Sequence, residues 1–88
     1  MKLTPKQKSL LKVQAHHIDP VVQIGKNGIT DELIAHIEKA LTDHELIKIK
    51  FLAMKDEKES LTTAISEKTG AELVEIIGNI IVLYRPNN

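Results

Sequence analysis

The stretch "VVQIGKNGITDELIAHIEKALTDHELIKIKFL", residues 21–52, passes from a β-branched run through a glycine-bounded loop into a helical pattern, then into an alternating run. Val21–Ile24 is short, apolar and β-branched, as a buried strand requires. Ile29, Leu33, Ile37 and Ala40/Leu41 recur at helical spacing to about Asp43, and Thr30 stands where a side-chain cap is needed. In Leu46–Leu52, Ile47, Ile49 and Phe51 fall on one side while Lys48 and Lys50 fall on the other, the pattern of a half-buried strand. Two strands joined through a helix are expected to pair in parallel, because the helix returns the chain to the same end of the sheet.

Working outward toward the N-terminus, Thr4-Pro5-Lys6-Gln7 reads as a helix start, with Thr4 as N-cap, Pro5 at the first helical position and Gln7 completing a capping box. Leu10, Leu11, Ala15 and Ile18 supply its apolar stripe. Pro20 disfavours helix in the residue before it, so this element is expected to end near His16–Asp19. Toward the C-terminus, "KDEKE" at 55–59 opens a third helix, its acids suiting the positive end of the dipole. Leu61, Ala64 and Ile65 form the expected buried stripe, and Gly70 the stop. Glu72–Ile77 and Ile80–Arg85, linked by Gly78-Asn79, read as a hairpin with a type II′ turn.

The order is α-β-α-β-α-β-β. It predicts an α+β fold, a two-layer α/β sandwich with a four-stranded mixed sheet and helices mainly on one face. Both crossovers are expected to give parallel neighbours, and the hairpin an antiparallel one. Residues 1–88 suffice for one domain with one core. Hydrophobic residues at 42% and charged residues at 27% are ordinary globular values. The absence of cysteine excludes disulfides and thiolate chemistry. The apolar runs are too short to cross a membrane and the N-terminus lacks an apolar signal core, so a soluble, cytoplasmic domain is expected.

The formal net charge of zero conceals a division. Residues 1–28 carry Lys2, Lys6, Lys8, Lys12 and Lys26 against Asp19, giving +4, and residues 29–88 carry −4. An anionic partner is expected to meet the N-terminal third. The plainer account is that solvated charges cluster there, since a dedicated nucleic-acid domain is more often strongly basic.

Within that third stands GKNG, Gly25–Gly28. Glycines at both ends permit unusual backbone angles and remove the Cβ atoms that hold a ligand away. The loop feeds a helix N-terminus, where free N–H groups attract anions, and Lys26 adds a mobile charge. Asn27 tolerates a left-handed conformation. This suits close approach of a phosphate backbone; the alternative is a strand-to-helix turn with convenient glycines. The spacing is neither that of a P-loop nor that of a dinucleotide-binding fingerprint. Asp31 and Glu32 in the following helical turn count against a phosphate there. Lys8, Lys12 and His16 recur every four residues along one line of the first helix, either as a second basic feature or as an ordinary exposed face. The four histidines lack metal-ligand spacing, so no metal or cofactor is expected. The serines lack a strained nucleophile turn, so no catalytic residue is expected. One tyrosine and one phenylalanine make no stacking platform for bases. Lys48 and Lys50 either extend a basic surface or stay solvated, and the second is the better account.

"LTPKQKSLLKVQAHHIDPVVQIGKNGIT", with "HELIKIK" and "GNIIVLYRP" following in order, resembles the YhbY-type CRM domain, named for chloroplast RNA splicing and ribosome maturation. The similarity runs over essentially the whole chain. It implies a fold like the C-terminal domain of translation initiation factor 3 with one extra N-terminal helix. It also implies RNA binding through a GxxG loop, here Gly25, Lys26, Asn27 and Gly28, and through a basic first helix, here Lys8, Lys12 and His16. Bacterial stand-alone members are associated with precursors of the large ribosomal subunit. The expectation is a monomeric, non-enzymatic protein that binds large-subunit ribosomal RNA or its precursor particle, without a small-molecule substrate or a membrane. The alternative is a protein–protein adaptor using the final strand, apolar on both faces, if helices leave one face uncovered.

Overall fold

The computed structural model describes residues 2–87. Its elements are α1 (Pro5–Ala15), β1 (Val22–Ile24), α2 (Asp31–His44), β2 (Leu46–Phe51), α3 (Lys58–Thr69), β3 (Glu72–Ile77) and β4 (Ile80–Tyr84), with a 3₁₀ turn at Lys55–Glu57 leading into α3. The expected order of elements and the α+β class are observed. The starts of α1 and α2 follow their caps. Thr4 and Gln7 exchange both bonds of a capping box, at 2.9 and 3.1 Å, and Thr30 Oγ1 accepts from the Leu33 N–H at 3.0 Å. Gly70 ends α3 in the left-handed region, at φ +75°. Gly78 opens the β3–β4 turn at φ +56°, as a type II′ turn requires.

The sheet order is β1-β2-β4-β3. β1 and β2 pair in parallel, with Val22 opposite Ile49 and Ile24 opposite Phe51. The second crossover departs from expectation. β3 runs in the direction of β2 but is not its neighbour, because β4 folds back antiparallel between them. A two-residue turn permits this insertion, since it places β4 on either edge of β3, and only the edge facing β2 buries β4 on both sides.

One face of the sheet carries Val22, Ile24, Ile47, Ile49, Phe51, Ile81 and Leu83, and packs on Ile37, Ala40 and Leu41 of α2 and Ile65 of α3. The predicted alternation of β2 holds in register, with Lys50 exposed and Lys48 half-buried. Thr62 and Thr69 join the buried side of α3, where their hydroxyls donate to the Lys58 and Ile65 carbonyls at 2.7 and 2.8 Å. Each donor is satisfied within its own helix, so burial leaves no hydroxyl without a partner.

α1 crosses the opposite face. Leu3, Leu11 and Ala15 pack there on Val74, Val82, Leu46 and Tyr84. Leu10, expected in the buried stripe, is 58% exposed, because the helix seats on Leu11 and Ala15 and turns Leu10 outward. Val82 is fully buried, so α1 covers the middle of the second face of the final strand, while Ile80 beyond it is half-buried. This removes most of the uncovered apolar surface on which the adaptor alternative depends. The C-terminal segment is tied to α2 and α3: Arg85 donates to Glu38 at 2.9 Å and to the Thr69 carbonyl at 2.8 Å, and Asn87 donates to the Thr42 carbonyl at 2.6 Å.

Candidate functional site

GKNG leaves the C-terminal end of β1. Its base is pinned because the Leu52 and Ala53 N–H groups both donate to the Ile24 carbonyl, at 2.9 and 3.3 Å. The Gly28 N–H then closes the turn onto the Gly25 carbonyl at 3.1 Å, which puts Lys26 and Asn27 at the exposed tip. The two glycines differ in kind. Gly28 lies at φ +64°, where an L-residue is strained, and a Cβ added there meets the Met54 side chain at 3.7 Å. Gly25 has no positive φ, and a Cβ added to it meets nothing within 4 Å. The turn itself therefore requires glycine at 28. Among the described residues beyond its chain neighbours, none comes close enough to require it at 25, where its effect is to leave the backbone accessible from outside.

A cleft of about 680 Å³ opens beside the loop, bounded by Lys26, Asn27, Thr30, Asp31, Glu32 and His36, among others. Thr30 uses the Leu33 N–H, leaving earlier N–H groups of α2 facing this cleft. The carboxylates of Asp31 and Glu32 lie in the same turn and already answer the helix dipole. The cationic contribution of the loop comes from Lys26.

The sheet face under α1 is ordered in rows across the strands. Nearest GKNG are Gln23, Lys50, Ile80 and Ile77, then Lys48, Val82 and Glu75, and then Leu46, Tyr84 and Glu72. α1 covers the far rows. The near row stays open, with Gln23, Lys50 and Ile77 exposed. Grooves bounded by Leu3, Gln7, Leu10, Gln14 and Tyr84, and by Gln14, Ile18, His44 and Leu46, place one flank of α1 at the outer strand ends. At 100° per residue Lys8 and Lys12 project from the opposite flank, toward the open row. Both are half-buried, as long side chains are when their stems lie on a neighbouring surface.

The structure thus brings Lys8 and Lys12 to the sheet face that carries Lys48 and Lys50, with Lys26 at its rim. His16 departs from this grouping. It is exposed at the C-cap of α1, beside the beginning of β1, whereas GKNG follows the end of that strand. Three strand residues, roughly 10 Å, separate the two ends. The end of α1 and the loop thus lie at opposite ends of β1. Lys50 is exposed, as the solvated account of it expects, and Lys48 is half-buried. Their alternation with Ile47, Ile49 and Phe51 assigns both to one face, and the path of α1 decides which element shares it. Among the described residues, no group of three or more His, Asp or Glu side chains is placed to hold a metal ion. Among the described residues, no helix is long and apolar enough to cross a membrane.

Comparison with known proteins agrees with this architecture. A model of the CRS1 / YhbY (CRM) domain matches residues 3–85. A Haemophilus influenzae protein named as an RNA-binding protein is 49% identical over 86 residues, covering 97% of this chain and 87% of that one. A Bacillus subtilis protein named as a probable RNA-binding protein is 42% identical over 84 residues, covering 94% and 88%. The solution structure of a Staphylococcus aureus protein superposes with a TM-score of 0.85 at 45% identity, covering 99% of this chain and 92% of that chain.

Proposed function

The chain belongs to the CRS1 / YhbY (CRM) domain family, and from that premise we propose that it is an RNA-binding protein acting in assembly of the large ribosomal subunit. RNA enters along the open row of the sheet, between the Lys8/Lys12 flank of α1 and the GKNG loop. Lys8, Lys12, Lys48 and Lys50 neutralise successive phosphates, and a further phosphate passes against Gly25 with Lys26 beside it. Asn27 lies at the tip beside that contact. His16 stands outside the grouping and contributes at most a peripheral contact. The protein acts by holding RNA structure, without a chemical step, as a monomer in the cytoplasm.

The observation that carries this reading is Gly25. It is a glycine that neither backbone angle nor packing demands, at the rim of a lysine-bearing face. The printed names of the relatives support RNA as the partner class. The ribosomal assignment rests on the family resemblance described above. Crosslinking the protein to RNA in cells and sequencing the attached fragments tests it. Enrichment of large-subunit precursor RNA is expected. Recovery of messenger or small-subunit RNA alone would overturn the large-subunit assignment and leave RNA binding standing, whereas recovery of no RNA would overturn both.

A further inference from the structure

The strand order leaves β3 at an edge of the sheet, with one side of its backbone unpaired by any other strand. Along that edge, between β3 and α3, runs a groove of about 610 Å³ whose lining includes Glu59, Thr63, Glu67, Glu72, Leu73 and Ile76. Among the described residues no lysine or arginine lines it. Ile76 is 37% exposed and its neighbour Ile77 45%, on opposite faces of the strand. Natural edge strands are commonly blunted by charged side chains, proline, bulges or very short length. β3 has no lysine or proline; its carboxylates, Glu72 and Glu75, and its one irregularity, between Leu73 and Glu75, leave Glu75–Ile77 a regular edge whose charge is negative.

We propose that this edge is a docking site for an extended, basic segment of another protein, which adds as a strand beside β3. Its backbone pairs with the free edge of β3. Lysines or arginines at alternate positions fall on the α3 side and reach Glu59 and Glu67, while the intervening side chains cover Ile77. Charge selects this occupant over the alternatives. A second copy pairing edge to edge would bring two sets of the same carboxylates together. RNA would be repelled by the same groups. The groove also lies on the layer formed by α2, α3 and the turn before α3, which carries eight acids against four lysines, away from the lysines of the α1 face. The proposal therefore does not depend on the RNA reading.

The test uses blocked synthetic peptides, Lys-Val-Lys-Val-Lys-Val-Lys, its glutamate counterpart, and a scrambled peptide with the lysines in one block. Titration into the isotope-labelled protein at low salt is followed by amide shifts and hydrogen exchange. The alternating lysine peptide is expected to bind at least tenfold more tightly than the other two and to slow exchange at residues 75–77. Glu59→Lys with Glu67→Lys, both exposed positions, is expected to weaken it tenfold or more while lowering the melting temperature by only a few degrees, since Glu59 lies in the first turn of α3. Equal binding of the scrambled peptide, shifts centred on Asp31 and Glu32, undiminished binding to the double variant, or no binding would each overturn the proposal. So would dimerisation of the chain through β3. RNA affinity of the double variant, measured alongside, reports separately on the RNA surface.

Discussion

Gly25→Ala separates the two possible reasons for a glycine at that position. The substitution adds one methyl group at a residue whose φ is not positive, into space with no atom within 4 Å. Folding should therefore be unharmed, and loss of backbone freedom in the unfolded chain should stabilise the variant by up to about 0.4–1 kcal/mol. For a domain of this size that raises the melting temperature by roughly 2–6 °C. RNA meets the new methyl group where it would approach the backbone. Displacing one charge-assisted contact removes about 1.5–3 kcal/mol of binding, a loss of roughly 10- to 150-fold in affinity. The expected outcome is a protein more stable than its parent and much weaker in binding, a combination that general damage to the fold does not produce. Fluorescence anisotropy with fragments of large-subunit precursor RNA at fixed salt, paired with thermal melts, measures both quantities. A folded variant that binds within twofold of the parent would refute the close approach and reduce GKNG to a turn. Gly28 is the poorer probe. At φ +64° a substituent there costs roughly 1–2 kcal/mol of folding in its own right, so Gly28→Asp, although expected to bind RNA poorly, mixes repulsion with strain.

Further substitutions test the other parts. Lys8→Ala with Lys12→Ala should flatten the log–log salt dependence of RNA binding by about 1.4–1.8 units while leaving stability nearly unchanged; an unchanged slope would remove α1 from the RNA surface. Phe51→Ala empties a position buried between the sheet and its helices and should lower stability by about 3–5 kcal/mol in chemical denaturation, a loss under about 1 kcal/mol contradicting its place in the core. Arg85→Ala breaks the bonds to Glu38 and Thr69 and should cost on the order of 1–2 kcal/mol, since the side chain remains about one-fifth exposed; RNA affinity should be unaffected.

What the sequence made legible was everything encoded by local chemistry. Thr4 and Gln7 announce a capping box, Gly70 a left-handed stop, and the Ile47/Ile49/Phe51 alternation a face and a register. Each of these depends on residues a few positions apart. The position of β4 between β2 and β3 does not, because a hairpin satisfies its own turn on either edge and only burial across the whole sheet chooses between them. The side of the sheet occupied by α1 was hidden for the same reason, and with it the exposure of Leu10 and the grouping of Lys8 and Lys12 with Lys48 and Lys50. The loop itself was legible as a motif. The distinction between its glycines was not, since Gly25 and Gly28 look alike in sequence and differ only in φ and in what surrounds the missing Cβ.

The zero net charge then acquires a physical meaning that can be measured. The division first visible along the chain becomes a division between layers. α1 contributes three lysines and no acid to one side of the sheet, while the layer on the other side carries twice as many acids as lysines. A polyanion is therefore attracted in one orientation and repelled in the other, within a screening length of about 8–10 Å at ordinary salt. If Lys8, Lys12, Lys26, Lys48 and Lys50 each meet one phosphate, log affinity should fall with log salt at a slope between about −3.5 and −4.5, the lower figure applying to single strands. Between 50 and 200 mM salt that corresponds to a loss of roughly 100- to 500-fold. A slope near −1 would mean that only one or two lysines touch the backbone, and would confine the contact to the loop. A slope steeper than about −6 would require more cations than the α1 face and loop together present, and would extend the RNA contact beyond this surface.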